Sequence, residues 1–333
     1  MWGLLTVLAA SFAATYMMVP WLIPRLLKAG IKGRDMNKEG DVVVPEMGGF
    51  AIIGGFVVGV LLAIALTTFN LVDVGMDLSL VLASLSTILI MALIGVIDDL
   101  FLMTQKVKAL LPVFAALPLV AVKAGVTSME FPLVGVVDFG ILYPLLLVPI
   151  AITGAANATN MLAGFNGLEA GLGAIMCLTV GSIGWYFGRV EAVVLSLAML
   201  GALFAFLSYN WYPAKILIGD IGTLSIGAVV ASSVIVGNLE SVGIILMMPF
   251  FAELFLKARS GFQADSWCEV KDGKLFCEKK SERYGWGRLL MYYYGGASEV
   301  KIVFTILIVE ILIALIAFSY IFLDLFGVRV LGM

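Results

Sequence analysis

Apolar residues fall in long, nearly uninterrupted runs separated by short polar stretches, and this rhythm continues along the whole chain. A helix needs roughly twenty such residues to cross a hydrocarbon layer about 30 Å thick. Ten runs meet that requirement: 2–26, 47–68, 79–98, 107–124, 140–159, 169–187, 190–208, 221–238, 241–260 and 300–325. None shows the ten-residue alternation of a transmembrane barrel strand. The pattern predicts an all-α polytopic membrane protein with about ten transmembrane helices, forming a single integral membrane domain over residues 1–333. The first run lacks a basic stretch before it and is too long for a signal-peptide core, so it reads as a retained span.

The connections between these runs alternate between two sides, and charge distinguishes them. Residues 25–46, 99–108, 157–168, 209–220 and 257–301 contain 17 of the 20 Lys and Arg residues. The other side holds only Lys123, Arg189 and Arg329. The positive-inside rule makes the first set cytosolic and places both termini outside, as expected of a multi-pass protein of the cell membrane. On the outer side, 125–139 alternates in polarity and predicts a small hairpin or interfacial segment. On the inner side, the long connection 261–299 predicts a hairpin at Asp272-Gly273 and an amphipathic helix. Cys268 and Cys277 flank that turn, but a cytosolic segment is not expected to hold a disulfide.

Composition agrees: 62% hydrophobic and 13% charged residues, with a mean hydropathy of +1.10, exclude an ordinary soluble surface. The net charge is −3 and there is no histidine. Acid–base and metal chemistry must therefore come from Asp, Glu, Lys and Asn, and no nucleic-acid partner is expected.

The unusual polar stretches all fall on the inner side. They are GRDMNKEGDVVVPEMGG (33–49), GVIDDLFLMTQKVK (95–108), NATNMLAGFNGLEAG (157–171) and YNWYPAKILIGDIG (209–222). Acids at a membrane boundary are costly to desolvate and mark function or a buried pair. Asp98 and Asp99 end a span, where a carboxylate opposes the helix dipole and calls for a cation; Lys106 and Lys108 are near enough in sequence to supply one. Adjacent helical residues point about 100° apart, so one of the two acids can face a shared pocket while the other bonds elsewhere. Asp220 reads equally as an N-cap of the next helix or as a metal ligand. Asn157, Asn160 and Asn166 are caps and turn formers on one reading. On the other they are neutral oxygen ligands suited to Mg²⁺, or paired donors and acceptors for a pyrimidine edge. Taken together, acids, amides, lysines and glycines suit Mg²⁺-assisted phosphoryl chemistry. The rival class, a transporter or lipid flippase, predicts polar residues near the bilayer midplane and a repeat; neither is visible.

These four ordered motifs resemble the polyprenyl-phosphate N-acetylhexosamine-1-phosphate transferase superfamily, glycosyltransferase family 4. NATNMLAGFNGLEAG is the most specific, resembling its NxxNxxxGxNGLxxG signature. GRDMNK and NWYPAKILIGD are similar to GQDLNK and NWYPSRVFVGD of the eukaryotic and archaeal dolichyl-phosphate branch. The resemblance implies a cytosolic-face active site that transfers a sugar 1-phosphate, GlcNAc 1-phosphate in that branch, from a UDP-N-acetylhexosamine to a polyprenyl or dolichyl phosphate, releasing UMP. A bacterial-type acceptor or sugar is the alternative within the superfamily. It implies Mg²⁺, with Mn²⁺ as a substitute, on Asn160 and Asp220, and Asp98, Asp99 and Lys108 as catalytic residues. Asp35, Met36, Lys38, Glu46, Asn157, Asn166 and Glu169 would contact the substrate, with Asn166 reading uracil. Fold analogy also raises a homodimer. Two departures stand out. The histidines of the last inner loop are missing, which leaves Arg259, Arg283 and Glu253 as candidates there. A uracil-packing aromatic corresponds to Leu217.

Overall fold

The computed structural model describes residues 2–72, 75–101, 103–131, 135–277 and 283–325. Eight helices are long and apolar enough to span a membrane. Seven of them are α1 (Trp2–Lys28), α2 (Gly49–Thr68), α3 (Leu78–Phe101), α7 (Leu168–Tyr186), α8 (Val190–Asn210), α9 (Gly219–Gly237) and α13 (Glu299–Leu325). The eighth is α6 (Val148–Met161), entered through a π-helical turn at Tyr143–Leu147. A ninth candidate is a pair, α10 (Glu240–Leu246) and α11 (Met248–Ala258), bent by 51°. Pro249 in the first turn of α11 accounts for the bend, because proline cannot continue the hydrogen-bond ladder of the preceding helix.

The remaining expected span, 107–124, is not one helix. It consists of α4 (Gln105–Leu110), a 3₁₀ stretch (Leu111–Ala116) and α5 (Leu117–Ala121). Pro112 and Pro118 sit at the start of the second and third pieces and each removes a ladder donor. Three two-stranded antiparallel hairpins complete the fold: β1 (Lys32–Arg34) with β2 (Val43–Pro45), β3 (Ser128–Phe131) with β4 (Gly135–Asp138), and β5 (Glu269–Lys271) with β6 (Lys274–Phe276). The last two stand where the sequence predicts them. The turn Asp272-Gly273 has positive φ at both residues, and Lys271 pairs with Lys274 across it, the geometry of a two-residue hairpin. The amphipathic helix follows as α12 (Trp286–Tyr294). Among the described residues no cysteine forms a disulfide.

Helix α9 is the axis of the bundle. It is buried on nearly every face and packs against α3 and α6 most extensively, then against α8, α7 and α2. Small residues permit this. A Cβ on Gly95 of α3 would lie 2.4 Å from Ile221 Cα, and one on Gly227 of α9 would lie 2.4 Å from the Ala155 carbonyl oxygen of α6. Three helices thus meet at nearly backbone distance around the first turns of α9.

Gly95→Ala is expected to destabilise the protein by about 1–3 kcal/mol, the usual cost of overpacking. Gly154→Ala is the control, because a Cβ there meets nothing within 4 Å. It should be neutral or slightly stabilising, alanine being the better helix former by up to about 1 kcal/mol. Thermal unfolding of both variants in detergent tests the difference.

Candidate active site

The close approach at Gly95 lets Asp99, one turn further along α3, reach the start of α9. Its carboxylate accepts the backbone N–H of Asp220 at 2.8 Å and of Ile221 at 3.1 Å. Asp99 therefore caps α9 from another helix, where free N–H groups and the dipole favour an anion. Gly219, with φ of +70°, supplies the left-handed turn before the helix. The capping role considered for Asp220 thus belongs to Asp99, and the Asp220 side chain is left for other partners.

Those partners come from α4 and α6. Lys108 Nζ lies 2.6 Å from Asp220 Oδ2 and 2.6 Å from Asp98 Oδ2. Asn160 donates through Nδ2 to Asp220 Oδ1 and, at 2.8 Å, to Thr223 Oγ1. The helical divergence of adjacent residues is realised: Asp98 turns to Lys108 and Asp99 to α9. Asp98 is the more enclosed, with 4% of its side chain exposed against 27% for Asp220, which opens toward a cavity. Lys106 is exposed. Two carboxylates against one ammonium leave the cluster formally negative.

A second cluster knits the connections together. Asn166 is buried; its Nδ2 donates to Asp35 Oδ2, and its Oδ1 accepts from Lys38 Nζ and the Ala214 N–H. Lys38 also pairs with Asp35 and Glu299, and Glu299 accepts the Asn166 N–H. Asn210 holds the Asn166-Gly167 turn by accepting from Gly167 and donating to the Ile216 carbonyl. Glu169 is buried and accepts the Gly164 N–H. All four polar stretches of the sequence therefore converge at one end of the bundle.

Between the clusters lies a cavity of about 590 Å³, within the usual range for ligand sites. Asp35, Met36 and Glu46 line it from the first connection, Asn160, Asn166 and Glu169 from the signature motif, and Leu217, Asp220 and Thr223 from the start of α9. Its fourth wall is Lys257 with Asp265, Ser266 and Trp267. Lys257 donates to the Met161 carbonyl and to Ser266 Oγ and pairs with Glu253 at 3.5 Å. Among the side chains lining it, Asp35, Glu46, Glu169, Asp220 and Asp265 outnumber Arg34 and Lys257. A phosphorylated ligand would need an additional cation. The donor set fits one: a partly open carboxylate on Asp220, and an Asn160 whose Nδ2 is committed so that Oδ1 faces the other way. Hard oxygens with room for water and phosphate match Mg²⁺. Among the described residues no three His, Cys, Asp or Glu side chains form a metal-holding group by themselves, so a bound ligand would have to complete the shell.

Other candidates lie elsewhere. Asn157 donates to the carbonyls of Thr153 and Ala109 and so braces α4. Arg259 is exposed, and Arg283 stacks over Tyr292 at 4.5 Å; neither lines the cavity. Sequence reasoning missed Thr223, Asn210, Lys257, the Asp265–Trp267 wall and Glu299. Glu299 looks like an ordinary first-turn acid, and Lys257 like a solvated helix end. Only Asn210, inside the YNWYP motif, carried a usable signal. A second cavity, about 370 Å³ and almost wholly apolar, runs along α6 past Leu147, Ile150, Ala151 and Gly154 to Val230 of α9 and Phe251 of α11. At its rim Tyr143 donates to Glu240.

The family model for glycosyl transferase family 4 matches residues 80–238. A Sulfolobus acidocaldarius protein, provisionally named UDP-N-acetylglucosamine–dolichyl-phosphate N-acetylglucosaminephosphotransferase, is 36% identical over 95% of both chains. The Schizosaccharomyces pombe protein of that name is 29% identical, over 74% of this chain and 64% of its own. A phospho-N-acetylmuramoyl-pentapeptide-transferase of Shouchella clausii is 31% identical, over 76% of this chain and 80% of its own.

Burial, and then the nearby Asp220 charge, push the Glu46 carboxyl above its ordinary range. A carboxyl raised in the folded state stabilises that state while protonated. The contribution is lost as pH climbs from about 4.3, the unfolded value, through the raised one. Glu46→Gln should therefore unfold at higher temperature than the parent near neutral pH, and at the same temperature near pH 4. Melting curves in chelator, without nucleotide, check this.

Proposed function

The chain belongs to glycosyl transferase family 4, and from that premise we propose that it transfers an N-acetylhexosamine 1-phosphate, in the first instance GlcNAc 1-phosphate, from a UDP-sugar to a polyprenyl or dolichyl phosphate, releasing UMP. The observation that carries this reading is the Asp98–Lys108–Asp220–Asn160 cluster. It borders a polar cavity of nucleotide-sugar size, and an apolar cavity runs along the same helix α6. The polar cavity offers a wet approach for a soluble donor, and the apolar one, which shares no lining residue with it and lies toward the Tyr143 end of the same helix, offers a surface for a lipid tail. The basic end of the bundle is the cytosolic face on this reading, with both termini outside.

The reaction is a direct displacement. An oxygen of the lipid phosphate attacks the β-phosphorus of the UDP-sugar; the new P–O bond forms as the bond to the UMP oxygen breaks, and UMP carries away the electron pair. Asn160 and Asp220 would hold Mg²⁺, which supplies neutralisation of the diphosphate charge. Lys108 contributes a second positive charge beside the transferring group, where fixed charge in a dry site is most effective. Asp98 keeps the Lys108 ammonium turned toward Asp220 and orients the acceptor. Its oxygens are already committed, one to Lys108 and the other to the Met103 N–H at 3.1 Å. Asp99 acts only by placing Asp220. Lys257, Asp265, Ser266 and Trp267 form the wall against which the sugar would lie, in place of histidines the chain lacks.

Asp220→Ala and Asn160→Ala are expected to lower metal-dependent transfer at least about 10²-fold while leaving the protein folded. UMP or UDP-GlcNAc with Mg²⁺ should raise the melting temperature of the parent by mass action and not that of Asp220→Ala. Supplying several UDP-sugars with dolichyl phosphate and weighing the lipid product identifies the sugar. Parental turnover by either variant would overturn the ligand assignment, and no lipid-linked product from any UDP-sugar would overturn the reaction.

A further inference from the structure

Thr223 stands one turn into α9, beside the Asn160–Asp220 pair, and its hydroxyl is used as both donor and acceptor. Oγ1 donates to the Asp220 carbonyl at 3.3 Å and accepts from Asn160 Nδ2 at 2.8 Å. Its own carbonyl accepts the hydroxyl of Thr159, the residue before Asn160, at 2.9 Å. Thr223 therefore touches α6 twice, through Thr159 at the backbone and through Asn160 at the side chain. The seam is tight because Gly227, one turn further, brings α9 against the Ala155 carbonyl and the Thr159 hydroxyl.

An asparagine amide is nearly symmetric in shape, and its two ends do opposite things: the oxygen binds a cation and the NH₂ repels one. Whether Asn160 can serve a cation depends on which end faces the cavity. Two acceptors decide it, Asp220 Oδ1 and Thr223 Oγ1. The first is a carboxylate that a cation would also claim. The second is a neutral hydroxyl, which draws a cation far less than a carboxylate does; its hydrogen is directed to the Asp220 carbonyl and one of its two lone pairs to Asn160. The acceptor that goes on holding the amide when Asp220 is shared is thus the threonine.

We propose that Thr223 is a positioning residue that locks the Asn160 amide with its oxygen toward the cavity, and so sets the affinity for the divalent cation. This rests on the reading of Asn160 and Asp220 as cation ligands. Partners that orient metal ligands typically change metal affinity or activity 10–100-fold when removed. Serine retains the hydroxyl, valine retains the shape without it, and alanine removes both.

The test is Mn²⁺ binding to the purified full-length protein with UMP, followed by electron paramagnetic resonance, alongside Mg²⁺ activation of transfer. Thr223→Val is expected to weaken Mn²⁺ binding about 10–100-fold and to raise the Mg²⁺ needed for half-activation in parallel. Thr223→Ser, which keeps the hydroxyl, should bind like the parent. Thr223→Ala provides the same comparison if the valine variant folds poorly. Parental Mn²⁺ affinity in the valine or alanine variant, with loss of binding in Asp220→Ala, overturns the lock and leaves the ligand assignment intact. Equal weakening in the serine and valine variants assigns Thr223 to packing and also overturns the lock. Undiminished binding in Asp220→Ala overturns the assignment itself.

Discussion

Lys108 holds its ammonium between two carboxylates that belong to different helices, and one end of the bundle is organised around keeping those three groups together. A charge at a membrane boundary is tolerated when it is paired and hydrogen-bonded. Asp98, Lys108 and Asp220 come from α3, α4 and α9, so the pairing is also a clamp on three chain segments. Separating any one of them would leave a charge partly buried without its partner, which is more costly than the pair is stabilising. Because the cluster is formally negative, it is incomplete as well as clamped. Its unsatisfied charge faces the one direction that is open, the polar cavity.

The clamp requires α9 to begin at one place. Gly95 allows the α3–α9 approach, Asp99 holds the exposed amides of the first turn, and Gly219 makes the bend that leads into it. The segment before the helix is fixed on its other side by backbone pairing, Leu217 to Pro45 and Gly48 to Leu217, each at 2.8 Å. The residue that caps α9 and the residue that pairs with Lys108 are thus neighbours in sequence on α3, and neither can be moved without the other. Packing glycines, a remote cap and a strand-like pairing all act on the position of a single carboxylate, Asp220.

Much of this was legible in the sequence because membranes impose strong patterns. Apolar runs located nearly every helix, and the inner clustering of Lys and Arg collected the polar motifs at one end. The divergence of Asp98 and Asp99 followed from helix geometry alone. The failures have equally physical causes. The run 107–124 is apolar enough for a span, but Pro112 and Pro118 break it, and hydropathy does not register missing amide hydrogens. Arg259 and Arg283 were chosen for their charge, yet one faces solvent and the other a tyrosine ring. Thr223 and Glu299 were invisible because what matters about them is a contact across more than sixty residues of chain. Periodicity reports which face of a helix is buried, not which neighbour it meets.

The wall opposite Asp220 is built from Lys257, Asp265, Ser266 and Trp267, and it is held by contacts that do not involve the ligand. Lys257 bonds the Met161 carbonyl, one residue past Asn160, so the wall is tied directly to the end of α6 that carries Asn160. Arg288 donates to the carbonyls of Asp265 and Trp267 and fixes the loop from behind. An ammonium, a carboxylate, a hydroxyl and an indole on a braced loop offer hydrogen bonds in both senses and a flat apolar face, the combination a sugar ring needs. The bracing is therefore of two kinds: Arg288 holds the loop backbone from outside the cavity, while the Lys257 tie uses a side chain that lines it, so replacing Lys257 would loosen the wall as well as change its chemistry.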